Sequence, residues 1–505
     1  MWVTPTSSDL RTVLHFLGML LMGIAAAMLV PLVLALVLAE WAPALDYVIG
    51  IGVTLFFAST LMLADVRADS LNRRQALVVT ALVWIVGASA AAVPLLFSQN
   101  YIHFIDALFD SMSGLATAGL TVVFDLDHMA WSHSMWRHLL HLIGGQGIVV
   151  AAISFAVARG GGAFALYQAE GREERILPNV QHTARFIWFV TAVYVTLGTV
   201  ALAIAMLLDG ISLGPALLNA FFICVAAFDT GGFAPHSQSL LYYHSWFVEA
   251  VSMVLMLAGT MNFALQADVW RGDVKEMITN IETRTLAINM LILTAFASVG
   301  IALFGVLDTG GEFVRKVMFH IVSAHTGTGH QTIYAPQWSL TLGSAGIAAV
   351  ILAMGAGGAV SSTAGGIKAL RIGAIVKAIS LSIRKALSPD SAVVKSRYHH
   401  ITDKTLTDQL ISSSMTVFIL YMVTYITGAL VGMAYGYSAG DALFESTSAA
   451  GGVGLTIGIT SPFMPTGMKW LYIIQMWAGR LEFLALMALV AVVIISIPRV
   501  VRKKR

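Results

Sequence analysis

The stretch DALFESTSAAGGVGL, Asp441 to Leu455, starts with the spacing of an amphipathic helix and then dissolves into small residues and glycine, between apolar runs long enough to cross a membrane. Three further stretches align with it without gaps: DALFDSMSGLATAGL (Asp106 to Leu120), NAFFICVAAFDTGGF (Asn219 to Phe233) and KVMFHIVSAHTGTGH (Lys316 to His330). In each, a phenylalanine (Phe109, Phe222, Phe319, Phe444) stands ten residues before a glycine (Gly119, Gly232, Gly329, Gly454). A small residue (Ser113, Ala226, Ser323, Ser448) stands six before the same glycine. Such self-similarity marks a repeat architecture.

Composition sets the medium. The 505 residues are 58% hydrophobic and 11% charged, with mean hydropathy +0.81, far below the roughly 25% charged residues of soluble domains. At about 20 apolar residues per crossing, spans are expected near 16–39, 45–64, 76–97, 136–158, 186–208, 246–268, 286–307, 337–380, 410–436 and 470–497. Phe16–Ala39 has no cleavage site after it and is expected to be a retained span. The fold class expected is an all-α polytopic membrane protein with four parallel span, short helix, loop, span repeats around one pore, plus two N-terminal spans. The boundaries are 1–75 for the N-terminal unit, then 76–158, 159–270, 271–385 and 386–505 for the repeats. The repeats run parallel because two crossings return the chain to one side.

Lysine and arginine sort to one side of these spans: Arg67, Arg73, Arg74, Arg159, Arg172, Arg175, Arg271, Lys275, Arg384, Lys385, Lys395, Arg397, Lys404 and the tail RVVRKKR. That side is cytoplasmic by the positive-inside rule, and it holds both termini. The other side has Arg137, Arg315, Lys316 and Lys469 near it, together with Glu40, Asp46, Asp125, Asp127, Asp209 and Asp308, so its field favours cations. The net charge of +2 argues against a nucleic-acid partner, and the single cysteine, Cys224, against an internal disulfide. There is no HExxH motif, and no nucleophile with a base or a metal set is apparent, so no enzyme is expected.

Irregular backbone cannot face lipid, so the four glycine-rich loops must be buried in protein or line water. Glycine reaches positive φ at little cost, which lets successive carbonyls turn toward one axis. Rings of carbonyls can replace a cation's water shell, and each short helix would aim its partially negative end at mid-membrane. The plainer alternative, glycine for close helix packing, does not account for four aligned copies in equivalent places.

This pattern resembles the Trk/Ktr/HKT superfamily of potassium transporters over nearly the whole chain. The two extra N-terminal spans and GRLEF (Gly479 to Phe483) are similar to the TrkH branch, and SSTAGGIKALR (Ser361 to Arg371) is similar to its STAGGIK segment. The resemblance implies potassium as substrate, with filter carbonyls from Thr117, Ala118, Gly119, Thr230, Gly231, Gly232, Gly327, Thr328, Gly329, Gly452, Val453 and Gly454. It also implies a homodimer in the lipid of a bacterial inner membrane and a cytosolic TrkA-type regulatory subunit that carries the nucleotide, NAD or ATP, with no cofactor in this chain. A secondary active, proton- or sodium-coupled transporter is the alternative. Asp229, His325 and His330 depart from the family pattern and bear on selectivity. Asp229 either adds charge at the outer filter or bonds the adjacent backbone.

The run GAGGAVSSTAGGIK, Gly355 to Lys368, interrupts the third repeat's second span, and each interior glycine weakens a helix by roughly 1 kcal/mol. Gly357, Gly358, Ser361, Ser362, Thr363, Gly365, Gly366 and Lys368 are therefore expected to form a gate, or else a static break. Lys368 either snorkels to water or binds a partner loop. Arg480, about eleven residues into the last span, is expected below the filter as an electrostatic element of the gate, or in a salt bridge to another repeat. His138 and His141, with His133, are expected to be interfacial rather than a metal set. Ser388–Asp408 suits either partner docking or a linker.

Overall fold

The computed structural model describes residues 6–64, 71–148, 150, 166, 169, 180–304 and 310–503. Arg67, Arg159, Arg172, Arg175, Asp308 and the last two residues of the basic tail lie outside these, as does the end of the span expected at 136–158. Among the described residues, seven helices are long and apolar enough to cross a membrane, and two bent helix pairs bring the number to nine. The protein is a multi-pass membrane protein.

Burial separates the lipid-facing helices from the central ones. Ile281–Ile301 is 22% buried and Trp41–Met62 28%, so most of their apolar surface is left for hydrocarbon, whereas Arg73–Phe97 is 61% buried. That last helix starts at a capping box in which Asn72 and Gln75 satisfy each other's backbone amides. The Gln75 amide also donates to Asp9, fastening it to Ser7–Ala27. Glu40 accepts from the amides of Trp131 and Ser132 and so holds the start of Trp131–Gln146.

The four aligned stretches are short helices followed by loops: Phe104–Leu115, Leu213–Phe228, Phe319–His325 and Ala439–Gly451. The four aligned phenylalanines are completely buried. The long expected span at 337–380 resolves into Trp338–Ala356, an irregular loop, and Ala369–Ala386. Two spans expected to be continuous are broken too. Trp246–Gly259 and Phe263–Trp270 meet at 102°, and Thr466–Arg480 and Leu484–Ile494 at 112°. The second break has no glycine in it: Glu482 and Phe483 adopt φ of 49° and 67°.

The four basic residues expected on the side opposite the other lysines and arginines are all paired. Arg137 meets Asp110 at 2.6 Å, Arg315 meets Glu249 at 2.5 Å, Lys316 meets Glu312 at 3.3 Å and Lys469 meets Asp106 at 2.6 Å. Their charge is thus largely neutralised. Arg137 and Asp110 are both fully buried, and removing one member of such a pair costs about 3–5 kcal/mol. Asp110→Ala is therefore expected to lower thermal stability by that order in detergent unfolding, and Arg137→Leu with Asp110→Leu together by much less.

Within Ser388–Asp408, Arg397–His400 and Thr402–Thr405 pair as an antiparallel hairpin. Glu276 anchors it: Oε1 accepts the Ile401 amide at 3.0 Å and Oε2 lies 2.8 Å from His399 Nε2. Hydrogen bonds to Asp403, then to Glu276, raise the His399 pKa above its ordinary 6.5. Burial pushes the Glu276 carboxyl up, but its bonds to His399, Asn280 and the Ile401 amide outweigh this and hold it below 4.5. The His399 contribution is complete below pH 6.5 and is lost as pH rises through its raised value. A spin label at Lys404 should become more mobile in that window, and His399→Ala should remove the dependence.

Candidate functional site

Each short helix ends in the same set of hydrogen bonds. The middle loop residue donates its amide to the carbonyl of the small residue five before it: Ala118 to Ser113 (2.8 Å), Gly231 to Ala226 (2.8 Å), Thr328 to Ser323 (2.9 Å) and Val453 to Ser448 (2.9 Å). The first loop residue does likewise: Thr117 to Gly114, Thr230 to Ala227, Gly327 to Ala324 and Gly452 to Ala449. Carbonyls at a helix C-terminus lack intrahelical partners, and these loop amides satisfy them. The loop carbonyls remain available.

Backbone conformation repeats as well. The first and third residues of all four loops have positive φ: Thr117 (52°) and Gly119 (73°), Thr230 (51°) and Gly232 (74°), Gly327 (73°) and Gly329 (88°), Gly452 (63°) and Gly454 (94°). The middle residues do not. Left-handed residues on either side of one that is not can turn consecutive carbonyls to one side, where a uniform strand would alternate them.

The loops close on one another in chain order. A methyl group on Gly119 would overlap the carbonyl oxygen of Gly231; on Gly232, that of Thr328; on Gly329, that of Val453; and on Gly454 it would press on that of Ala118. Each third glycine thus abuts the middle carbonyl of the next loop, and the fourth returns to the first. A cavity of about 630 Å³ is lined by all four of these glycines and by Asp125 and Asp127.

In three of the four repeats the segment after the loop is latched from behind. In the first and fourth repeats the residue following the aligned phenylalanine does this. Asp110 accepts the Thr121 hydroxyl at 2.6 Å, and Glu445 accepts the Thr456 and Thr460 hydroxyls and the amides of Ile457 and Ile459. In the third, His320 Nε2 accepts the Thr332 amide at 3.1 Å. These partners were visible in the alignment as the position after phenylalanine, but their polarity looked like that of any short helix.

Beneath the loops, the expected gate residues form a hairpin-like excursion whose neck is closed by the Gly358 amide on the Gly365 carbonyl (3.3 Å). Thr363 is its hub. Its hydroxyl lies 3.0 Å from that of Thr230, 3.2 Å from the Phe228 carbonyl and 2.9 Å from the Gly259 carbonyl. Ser362 caps the tip locally through Ala359 and Ala364, Ser361 takes φ 53°, and Glu282 accepts the Val360 amide at 2.6 Å. Lys368 does not snorkel: it is buried, and its ammonium turns back onto the Ala364 carbonyl.

Arg480 joins three repeats. Its guanidinium donates to the Thr117 hydroxyl (3.2 Å), the Thr363 carbonyl (2.7 Å) and the Gly144 and Gly145 carbonyls. Glu482 pairs instead with Arg371. Gly479 lets the last span approach, since a methyl there would overlap the Ala450 carbonyl.

Three positions differ from expectation. Asp229, expected either to add charge at an outer filter or to bond the adjacent backbone, does not line the cavity of about 630 Å³: it caps the C-terminal end of Leu213–Phe228, fully buried, and its carboxylate accepts from Gln146 at 2.8 Å. The last residue of a short helix lies at the buried end of that helix, ahead of the loop that follows it. His138 and His141 are fully buried rather than interfacial, His138 stacked on Phe222 at 4.6 Å. Among the described residues no group of histidine, cysteine and carboxylates could hold a metal. His325 and His330 flank the third loop and are fully buried.

The family model for TrkH, described as a cation transport protein, matches residues 46–499. The chain belongs to the TrkH family of cation transport proteins. Relatives of this TrkH-family chain include an uncharacterized cation transporter of Methanocaldococcus jannaschii, 29% identical over 99% of both chains. The Trk system potassium uptake protein TrkG of Escherichia coli is 28% identical, covering 94% of this chain and 96% of its own. TrkH of Halomonas elongata is 27% identical, over 95% and 98%. The crystal structure of the potassium transporter TrkH from Vibrio parahaemolyticus superposes with TM-score 0.80 at 23% identity, over 95% of this chain and 98% of that one, and so shares the TrkH fold.

Proposed function

We propose that the chain is a potassium uptake pore in which the four loops form one selectivity filter and the excursion at Gly357–Lys368 is its gate. The observation that carries this is the closed circuit of contacts from Gly119 through Gly232 and Gly329 to Gly454 and back. Twelve residues, three per loop, would then supply the carbonyls: Thr117 to Gly119, Thr230 to Gly232, Gly327 to Gly329 and Gly452 to Gly454. The names of TrkG and TrkH relatives support potassium as the substrate. The units would run 1–75, 76–158, 159–270, 271–385 and 386–505, in a cytoplasmic or inner membrane with both termini inside. A homodimer and a cytosolic nucleotide-binding subunit would complete the uptake system.

Rubidium and sodium uptake into proteoliposomes tests the reading. A channel-like pore takes up rubidium in preference to sodium whenever the electrochemical gradient is inward, with no second ion required. Uptake that stops when proton and sodium gradients are both removed, at constant membrane potential, would establish coupled transport instead.

Arg480 supplies a second test. Like charges about 8 Å apart repel by roughly 2 kcal/mol at an effective dielectric of 20, more than tenfold in rate. Arg480→Gln is therefore expected to raise rubidium flux. Arg480→Lys, which keeps the charge but loses the planar fork, should stay nearer wild type. A glutamine variant that folds and conducts as before would exclude the barrier role.

A further inference from the structure

We infer that His141 is a positioning residue for the second filter loop, set there in place of a latch that this repeat lacks. This rests on the filter reading. The position after the aligned phenylalanine holds Asp110, His320 and Glu445 in three repeats, each bonded to the segment that follows its own loop. In the second repeat it holds Ile223, a buried side chain with no polar atom. Its outgoing segment is held from the neighbouring repeat: His141 Nε2 accepts the Phe233 amide at 3.1 Å. The other ring nitrogen lies 2.9 Å from the Gly114 carbonyl. Because Nε2 must accept, Nδ1 carries the proton and donates, so one neutral tautomer satisfies both bonds. The imidazole thereby spans from the end of the first short helix to the second loop.

The ring also explains why the second loop alone has glycine in the middle. The four middle residues are Ala118, Gly231, Thr328 and Val453. A methyl group on Gly231 would overlap the ring of His141, although Gly231 is not among the residues with positive φ. Glycine is therefore required here for space, not for conformation. Three residues before Gly144, Gly259 and Gly479, the glycines that abut the first, second and fourth short helices, stand His141, Met256 and Met476, so among these three the polar ring belongs to the first repeat. The Gly231 carbonyl, against which Gly119 packs, is set from behind by His141.

A double-substitution cycle on the full-length protein in proteoliposomes tests this, with rubidium uptake and the rubidium-to-sodium ratio as readouts. Gly231→Ala should cut rubidium uptake by about tenfold or more, and the damage should shrink by at least about threefold when His141→Ala makes room, a coupling of the size seen for residues in contact. His141→Phe fills the space without either hydrogen bond and should lower the ratio, while His141→Gln retains one acceptor and should lower it less. Equal damage from Gly231→Ala in both backgrounds overturns the inference. Should Gly231→Ala not reach the membrane, an unchanged ratio in a folded His141→Phe protein overturns it. Gly454→Ser, remote from His141, separates the two claims: if it leaves the ratio unchanged, the filter reading fails, and if it alone alters the ratio, only the role of His141 fails.

Discussion

Gly232→Ser and Gly329→Ser are each expected to abolish selective potassium uptake while leaving the protein in the membrane. Two independent costs fall on the same atom. The backbone at these positions has φ of 74° and 88°, where an L side chain costs roughly 1–2 kcal/mol. The new Cβ would also overlap the carbonyl oxygens of Thr328 and Val453 in the next loop, and those are backbone atoms that cannot rotate aside. The neighbouring carbonyl must move, so a change in one loop damages two. The first-position glycine of the fourth loop provides the contrast. A Cβ on Gly452 would have its nearest neighbour, the Ala116 carbonyl oxygen, at 3.6 Å, and Thr117 and Thr230 already occupy the equivalent place at φ 52° and 51°. Gly452→Thr should therefore retain uptake within about tenfold of wild type, a cost limited to the left-handed penalty. Loss of uptake in Gly452→Thr together with normal uptake in Gly232→Ser would reverse the order that the geometry demands.

Removing Ala359–Ala364 is expected to raise cation flux by well over tenfold. The neck of the excursion already brings Gly358 and Gly365 within a hydrogen bond, so a short turn can rejoin the chain without pulling on Trp338–Ala356 or Ala369–Ala386. The tip is held mainly through Thr363, whose hydroxyl has three partners on the second repeat, each hydrogen bond worth about 0.5–1.5 kcal/mol net. Losing even 1.4 kcal/mol of closure changes the open population about tenfold. Thr363→Val keeps the shape and removes the hydroxyl, and should open partway. Single-channel or flux recordings that show the deletion variant, correctly folded, conducting no more than wild type would make the excursion a static break.

The repeats were legible because the signal recurs. One glycine-rich loop is weak, but four with phenylalanine, small residue and glycine at fixed offsets imply equivalent surroundings, and the hydrogen bonds to Ser113, Ala226, Ser323 and Ser448 repeat accordingly. The break after Ala356 was legible from its glycines. Those after Gly259 and Arg480 were not, because the apolar runs continue through them and Glu482 and Phe483 take up positive φ under tertiary constraint. Asp229 misled: its place beside the loop was right, but it lies at the buried end of its helix against Gln146. Lys368 and His141 share another cause. Each has an apolar stem or ring and a polar tip, and only the packed neighbours decide whether the tip finds water or a carbonyl. For both it finds a carbonyl.

The central claim, that four loops make one cation filter, is tested most directly by anomalous diffraction from crystals grown in rubidium or thallium. The account predicts anomalous peaks on the axis enclosed by Thr117–Gly119, Thr230–Gly232, Gly327–Gly329 and Gly452–Gly454, weakened when sodium replaces the heavier ion. Well-ordered loops with no peak between them, and cation density elsewhere in the membrane region, would contradict it.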